Sequence, residues 1–161
     1  MLSNLMTELQ ASTSSRRHIA LIGFMGCGKT TTGRLLAKRH RLKFIDLDEV
    51  IVEQSGQSII DIFNAGGESV FRSCERAALR SVLASTTPAV IATGGGTFAD
   101  PTMRTWIQNA AHSVYLQAEP NALIKRLDQS GQKEKRPLLG GPNPAGTIRF
   151  LLNERTPLYR K

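Results

Sequence analysis

The chain has 161 residues, of which 40% are hydrophobic and 21% charged, so it fits one globular domain with a buried core of its own. No apolar run approaches the roughly 20 residues of a membrane span, and two isolated cysteines indicate neither a disulfide framework nor a CxxC metal site, which favours a reducing cytoplasm. The net charge is +8, but no recognisable nucleic-acid motif accompanies it, so we expect anionic small molecules as partners, and neither nucleic acid nor membrane.

The first segment, residues 1–17, is rich in Ser and Thr and lacks the apolar core of a secretory signal. An organellar transit peptide has arginines spread along its length, whereas here they come only at Arg16 and Arg17. We therefore expect a flexible N-terminal tail, followed by a single domain over residues 18–161.

The most informative segment is GFMGCGKT at 23–30, which matches the phosphate-binding pattern G-x-x-x-x-G-K-[ST] at every fixed position. An apolar strand is predicted before it at 18–22, and a helix after it at 30–40 whose N-terminus faces the phosphates. Lys29 supplies a point charge for the outer phosphates, and Thr30 offers a hydroxyl to Mg²⁺. The predicted nucleotide-binding residues of the loop are Gly26, Cys27, Gly28, Lys29, Thr30 and Thr31.

Two aspartates, Asp46 and Asp48, lie at the end of the second predicted strand, 42–47. Residues two apart at the end of a strand point the same way, so both carboxylates project above the sheet edge where α/β enzymes bind ligands. One can hold a magnesium-bound water, and the other can orient a substrate hydroxyl or accept its proton. Solvated or helix-capping aspartates show the same spacing, and the neighbouring phosphate loop favours the functional role.

The rest of the chain alternates strands and helices, as an α/β sheet requires. Helices are predicted at 48–54, 58–65, 68–84, 101–109, 120–129 and 148–154, and strands at 89–93 and 113–117. The Gly66–Gly67 pair breaks the helical pattern ahead of Arg72, and the glycine run at 94–96 admits close approach of a ligand to the backbone. Taken alone, a surface arginine and a tight turn explain these features equally well. Residues 130–144 are rich in Gly, Pro and Lys, which predicts a mobile segment.

In this order the segments resemble the shikimate kinases, members of the nucleoside monophosphate kinase-like P-loop family. The resemblance runs from about His18 to Arg160 and consists of GFMGCGKTT, FIDLDEVI, DIFNAGGESVFRSCE, VIATGGG, VYLQ, KRPLL at 135–139 and TPLYR at 156–160. Only the loop is specific by itself, whereas the whole set in this order is highly specific. The resemblance implies a three-layer α/β/α fold around a parallel sheet of order 2-3-1-4, with the phosphate-loop strand in the centre.

The implied activity is transfer of the ATP γ-phosphoryl group to the 3-hydroxyl of shikimate, with Mg²⁺ as cofactor, by a cytoplasmic monomer of aromatic amino-acid biosynthesis. The resemblance makes Thr30 the direct magnesium ligand, and Asp46 reaches the ion through water. Asp48 is the candidate base for the reacting hydroxyl. The shikimate site, in a segment at about 46–76 and beyond, further comprises Arg72, Gly94, Gly95, Gly96 and Arg160, the two arginines holding the carboxylate.

The other implied roles concern ATP. Lys29 and the loop amides bind the phosphates, and Lys29 also contributes to catalysis by neutralising charge. Arg136 lies in a lid at about 130–144 and closes over the phosphates, which excludes water from the reaction. Arg126 stacks on the adenine ring.

Shikimate kinases normally continue beyond the PLYR segment into a fifth strand, an adenine-contacting loop and a final helix, whereas this sequence ends at Lys161. The resemblance thus predicts a domain that is short at its C-terminus, lacks one edge strand and has poorly packed residues at 156–161. Two alternatives stay open. One is a catalytically impaired relative that still binds shikimate or nucleotide, and the other is a different small-molecule P-loop kinase, such as a gluconate kinase.

Overall fold

The structure is a computed structural model that describes residues 17–129, 139 and 141–161. Its strands are β1 (His18–Ile22), β2 (Lys43–Asp46), β3 (Ala89–Ala92) and β4 (Ala111–Tyr115). Its α-helices are α1 (Lys29–His40), α2 (Leu47–Ser55), α3 (Ile59–Leu83), α4 (Pro101–Ala110), α5 (Pro120–Gln129) and α6 (Pro144–Tyr159). A short 3-10 helix covers Thr97–Ala99. The predicted tail except Arg17, and most of the predicted lid, lie outside the described residues.

The strands form one parallel sheet in the order β2-β3-β1-β4. Ala92 at the end of β3 pairs with Asp46 of β2 and with Leu21 of β1, so the carboxyl ends of three strands lie side by side. The segments that follow these strands therefore meet at one edge of the sheet, where open α/β folds bind ligands. This arrangement confirms the predicted order and places the phosphate-loop strand between two neighbours.

Helices cover both faces of the sheet. Neighbouring strand residues point to opposite faces, and Leu21 and Val90 belong to a small apolar cluster with Ala37 of α1. Ile22 and Ile91 belong to the larger cluster on the other face, which also contains Leu79, Met103, Leu123 and Ile148. Because both faces are buried, β3 reads as the continuous apolar run AVIA. The three-layer α/β/α architecture expected from the sequence is confirmed.

The predicted break at Gly66–Gly67 and the predicted element boundaries can be compared with the structure, and several boundaries differ, among them the start of β4 and both ends of α6. The break predicted at Gly66–Gly67 is confirmed, because two helical segments of α3 meet in a kink at Gly67, whose φ of 67° and ψ of −166° are not helical. Strand β4 begins two residues before the predicted start at Ser113, because Ala111 already pairs with His18. Exposed polar side chains at His112 and Ser113 hide this start from the apolar pattern.

The end of the chain is better packed than expected. Helix α6 begins where the Asn143 side chain accepts a hydrogen bond of 2.9 Å from the Gly146 N–H, and it continues to Tyr159. Tyr159 is only 3% exposed and packs its ring 5.2 Å from that of Tyr115. The prediction of poor packing at 156–161 is therefore wrong for Tyr159. None of the helices within residues 17–129 and 141–161 is long and apolar enough to cross a membrane.

Candidate active site

The phosphate loop connects β1 to α1 and wraps around the side chain of Lys29. Gly28 immediately precedes α1 and has a φ of 98°, a left-handed conformation that glycine adopts without strain. Lys29 is 8% exposed, and its ammonium group donates to the Gly23 carbonyl at 2.8 Å and to the Phe24 carbonyl at 2.9 Å. The positive charge of Lys29 therefore lies inside the loop. The loop also contains the N-terminus of α1, which favours a bound anion.

Thr30 and Asp46, the two predicted magnesium residues, are in direct contact. The Thr30 hydroxyl donates to Asp46 Oδ2 at 2.8 Å, and Asp46 Oδ1 accepts from the Asp48 N–H at 3.1 Å. Asp46 thus caps α2 with one oxygen and faces the phosphate loop with the other. A hydroxyl and a carboxylate are hard oxygen donors, and Mg²⁺ needs only one or two such protein ligands beside water and phosphate. The pair therefore fits this ion.

Asp48 reaches the site in a different way from that predicted. Strand β2 ends at Asp46, and Asp48 lies in the first turn of α2, so the two aspartates are related by a strand-to-helix turn and not by strand alternation. Asp48 nevertheless faces the predicted site, because its side chain lines two adjoining cavities. Asp48 therefore lies at the carboxyl edge of the sheet because of this turn, and its predicted role stays a prediction.

The two cavities meet at the carboxyl edge of the sheet. The first, here called the loop cavity, is lined by the phosphate loop together with Arg126. The second, here called the arginine cavity, measures about 830 Å³ and is lined by Arg72 and Arg155. The residues that line both are Met25, Thr30, Asp46, Asp48, Gly94 and Gly95. A ligand in one cavity can therefore touch a ligand in the other beside Asp48.

Arg72 is held by two carboxylates of its own helix. Its Nη1 lies 2.5 Å from Glu75 Oε2, and its Nη2 lies 2.9 Å from Glu68 Oε1. Burial opposes the charge of Arg72, but the two glutamates outweigh it and raise the pKa of the guanidinium above its ordinary value. An ideal Cβ on Gly96 would lie 2.5 Å from Arg72 Nη2, so a side chain there would displace the guanidinium. Arg72 is thus a fixed cation in the cavity wall.

Glu75 is a site residue that the sequence interpretation did not identify. Its side chain is fully buried, and its Oε1 accepts a 2.5 Å hydrogen bond from the Thr97 hydroxyl. Its spacing of three residues from Arg72 on a helix is the signal that was available. The partnership with Thr97, which follows β3, depends on tertiary packing and has no local signature.

Arg160 does not take the predicted place in the arginine cavity. It is exposed and lines a separate surface groove beside Arg149, whereas Arg155 is 9% exposed and lines the arginine cavity. Five residues on a helix turn the direction of a side chain by about 140°, so these two arginines cannot face the same way. Arg155, and not Arg160, is therefore the arginine of α6 that lines the arginine cavity.

The remaining predicted site residues are Arg126, the three glycines at 94–96 and Arg136. Arg126 is exposed and donates to the Gly26 carbonyl at 3.4 Å, which puts its guanidinium at the rim of the loop cavity. Gly94, Gly95 and Gly96 all line the arginine cavity. Arg136 lies outside the described residues.

The sequence matches the family described as shikimate kinase over residues 25–161. The shikimate kinase of Rhodopseudomonas palustris is 42% identical over 145 residues, which make up 90% of this chain and 70% of that protein. The shikimate kinase of Francisella tularensis subsp. novicida is 40% identical over 144 residues, 89% of this chain and 80% of that protein.

Solved structures give the same result. The shikimate kinase of Acinetobacter baumannii in complex with shikimate has a TM-score of 0.84 and 35% identity, over 91% of this chain and 80% of that one. A gluconokinase of Sinorhizobium meliloti has a TM-score of 0.52 and 16% identity, over 87% of this chain and 75% of that one, so it shares only the fold. The phosphate loop, the parallel sheet and these similarities agree: the chain belongs to the shikimate kinase family.

Proposed function

We propose that this chain transfers the γ-phosphoryl group of ATP to the 3-hydroxyl of shikimate. The observation that carries the proposal is that Asp48 lines both the loop cavity and the arginine cavity. Phosphoryl transfer needs little covalent chemistry from the protein, and it depends on holding donor and acceptor in contact. Two adjoining cavities, one lined by the phosphate loop and one that contains two arginines, meet that need.

The arginine cavity suits a small carboxylate such as shikimate. Arg155 supports this assignment, because its Nη1 is buried and has no hydrogen-bond partner among the described residues. A buried cationic donor without a partner is costly, and a ligand oxygen would satisfy it. Arg72 offers a second guanidinium, and arginine pairs with a planar carboxylate through two parallel hydrogen bonds. We therefore assign the shikimate carboxylate to Arg72 and Arg155.

The glycine run supplies the closely packed wall of this cavity. Gly94, Gly95 and Gly96 bring backbone, and no side chains, to the cavity, which leaves room for a ring that carries hydroxyl groups. Asp48 faces the same space and can accept a hydrogen bond from the reacting hydroxyl, and then its proton. We assign Asp48 the role of base and orienting group.

The loop cavity would take the phosphates of ATP. Lys29, the loop amides and the N-terminus of α1 all present positive charge to it. Thr30 and Asp46 would hold Mg²⁺, Thr30 directly and Asp46 through water, and the bound ion would neutralise charge on the phosphate oxygens. We also propose that Arg126 stacks on the adenine and that Arg136 closes over the phosphates from a lid.

We further propose a monomeric cytoplasmic enzyme. Cys27 and Cys74 are free thiols, which suits a reducing compartment.

A coupled assay of ADP release tests the proposal. Purified protein is given ATP and Mg²⁺ with shikimate, gluconate or a nucleoside monophosphate as acceptor. We expect turnover with shikimate and none above background with the other two. Turnover with gluconate or a nucleotide would identify a different P-loop kinase, and shikimate binding without ADP release would identify a catalytically impaired relative.

A further inference from the structure

One hydroxyl group links the two sides of the arginine cavity. Tyr159 and Arg155 are four residues apart on α6, and both are at least nine-tenths buried. The Tyr159 hydroxyl donates to the Gly95 carbonyl, and the positive charge of Arg155 lies close enough to lower the pKa of the same hydroxyl. A residue of the last helix therefore connects the buried arginine to the glycine run that follows β3.

The tyrosine is itself firmly held. Its ring packs on Tyr115 of β4, with a centroid distance of 5.2 Å and an angle of 33° between the ring planes. Burial raises the pKa of Tyr159 to about 12, although the Arg155 charge acts in the opposite direction. The hydroxyl therefore keeps its proton at neutral pH and remains a donor to Gly95.

The Gly95 carbonyl is attached to a segment with little freedom to move. An ideal Cβ on Gly95 would lie 3.1 Å from the backbone nitrogen of Met25, so the glycine run packs directly against the phosphate loop. The carbonyl group of the same glycine accepts the hydrogen bond from the Tyr159 hydroxyl. Gly95 is thus fixed between the phosphate loop and α6.

We propose that Tyr159 is a positioning residue for shikimate, which holds the Arg155 guanidinium and the Gly95 carbonyl at their places in the arginine cavity. The inference rests on the proposed function. Arginine loses much rotamer freedom when it binds a ligand, and a partner that orients it beforehand lowers that cost. Tyr159 supplies this orientation from α6, beside the arginine cavity, so we expect its loss to weaken shikimate binding more than ATP binding.

Tyr159→Phe removes the hydroxyl and keeps the ring. We expect the shikimate Kd and KM to rise about tenfold, as for loss of one hydrogen bond to a charged group. The ATP Kd should stay within about twofold of the wild-type value, with both measured by calorimetric titration well below the unfolding temperature. If Tyr159 served stability alone, Tyr159→Phe would lower the unfolding temperature and change the Kd values of shikimate and ATP equally. That result would overturn the inference.

Tyr115→Phe is the matched control, because it removes the hydroxyl of the other ring in the same stack. We expect its shikimate Kd to stay within about twofold of wild type; a rise equal to that of Tyr159→Phe would overturn the inference. In the Arg155→Lys background, Tyr159→Phe should raise the shikimate Kd by a smaller factor than it does in the wild-type background. The reason is that the contact that orients Arg155 is already altered. Full additivity would mean that Tyr159 does not act through Arg155.

Titration of the wild-type protein with shikimate distinguishes a failure of the proposed function from a failure of this inference. A wild-type protein that binds no shikimate would overturn the proposed function and this inference with it. A wild-type protein that binds shikimate, beside a Tyr159→Phe variant that binds it equally well, would overturn this inference alone.

Discussion

Arg72 and Glu75 lie one turn apart on α3, and their Nη1 and Oε2 atoms are 2.5 Å apart. The other carboxylate oxygen of Glu75 accepts from the Thr97 hydroxyl, so a fully buried carboxylate is satisfied on both sides. Paired in this way, Glu75 can keep its charge inside the protein and direct Arg72 toward the arginine cavity. The cavity wall thus depends on a group that no ligand needs to touch.

Replacing Glu75 with Gln should destabilise the protein by about 2 kcal/mol, because one partner of a buried ion pair loses its charge. Shikimate binding should weaken as well, because Arg72 is no longer held as firmly. Glu68→Gln is the control: the side chain of Glu68 is 52% exposed, and such pairs contribute only about 0.5 kcal/mol. Urea unfolding of both variants measures the difference, and equal losses would contradict the central role of Glu75.

Asp48→Asn should lower kcat by about 10²-fold or more while ATP still binds, because the amide keeps the shape and cannot accept the proton. Asp61→Asn is the matched control, since it is the same substitution at an exposed aspartate that lines neither cavity and accepts from the Ser58 hydroxyl. Steady-state kinetics with saturating shikimate gives the comparison. Wild-type turnover in Asp48→Asn would remove Asp48 from the chemistry.

The two arginines of α6 should respond differently to the same change. Arg155→Lys should raise the shikimate KM by about tenfold or more, because lysine cannot form two parallel hydrogen bonds to a carboxylate. Arg160→Lys should leave it within about twofold, since Arg160 is exposed and lines a different groove. A larger rise in the shikimate KM for Arg160→Lys than for Arg155→Lys would contradict the assignment of the shikimate carboxylate to Arg155.

Stability should fall between about pH 10 and pH 12. The pKa of Tyr159 is raised by burial to about 12, above the ordinary value of about 10, so the folded state binds this proton more tightly than the unfolded state. The stability from this proton is complete below pH 10 and is lost as the pH rises toward 12, by about 2 kcal/mol. Urea unfolding at pH 9 and pH 11 should show a smaller decline for Tyr159→Phe than for wild type. Identical declines would contradict the raised pKa.

The parts of the site that follow from local spacing could be predicted from the sequence. The phosphate loop is a contiguous pattern, the alternation of strands and helices indicated an α/β sheet, and the family resemblance implied the strand order that the structure has. The bend at Gly67 was visible as a pair of glycines. These features need no knowledge of which distant segments touch.

The missed parts depend on helix orientation and on long-range packing. The predicted helix ended at Glu154, so the direction of Arg155 was left unassigned. The buried residues Ile148, Leu152, Arg155 and Tyr159 recur at helical spacing, and a longer helix would have put Arg155 on the inner face. Glu75 was quoted within the motif ESVFRSCE, but its partner Thr97 comes from a segment 22 residues away.

Identification of the product is the decisive experiment for phosphorylation of shikimate by this protein. Wild-type protein is incubated with ATP, Mg²⁺ and shikimate, and the mixture is analysed by ³¹P NMR and mass spectrometry. We expect ADP and a shikimate phosphate ester in equal amounts, with the phosphate on the 3-hydroxyl. ADP with free phosphate and no ester, or no consumption of ATP, would contradict it.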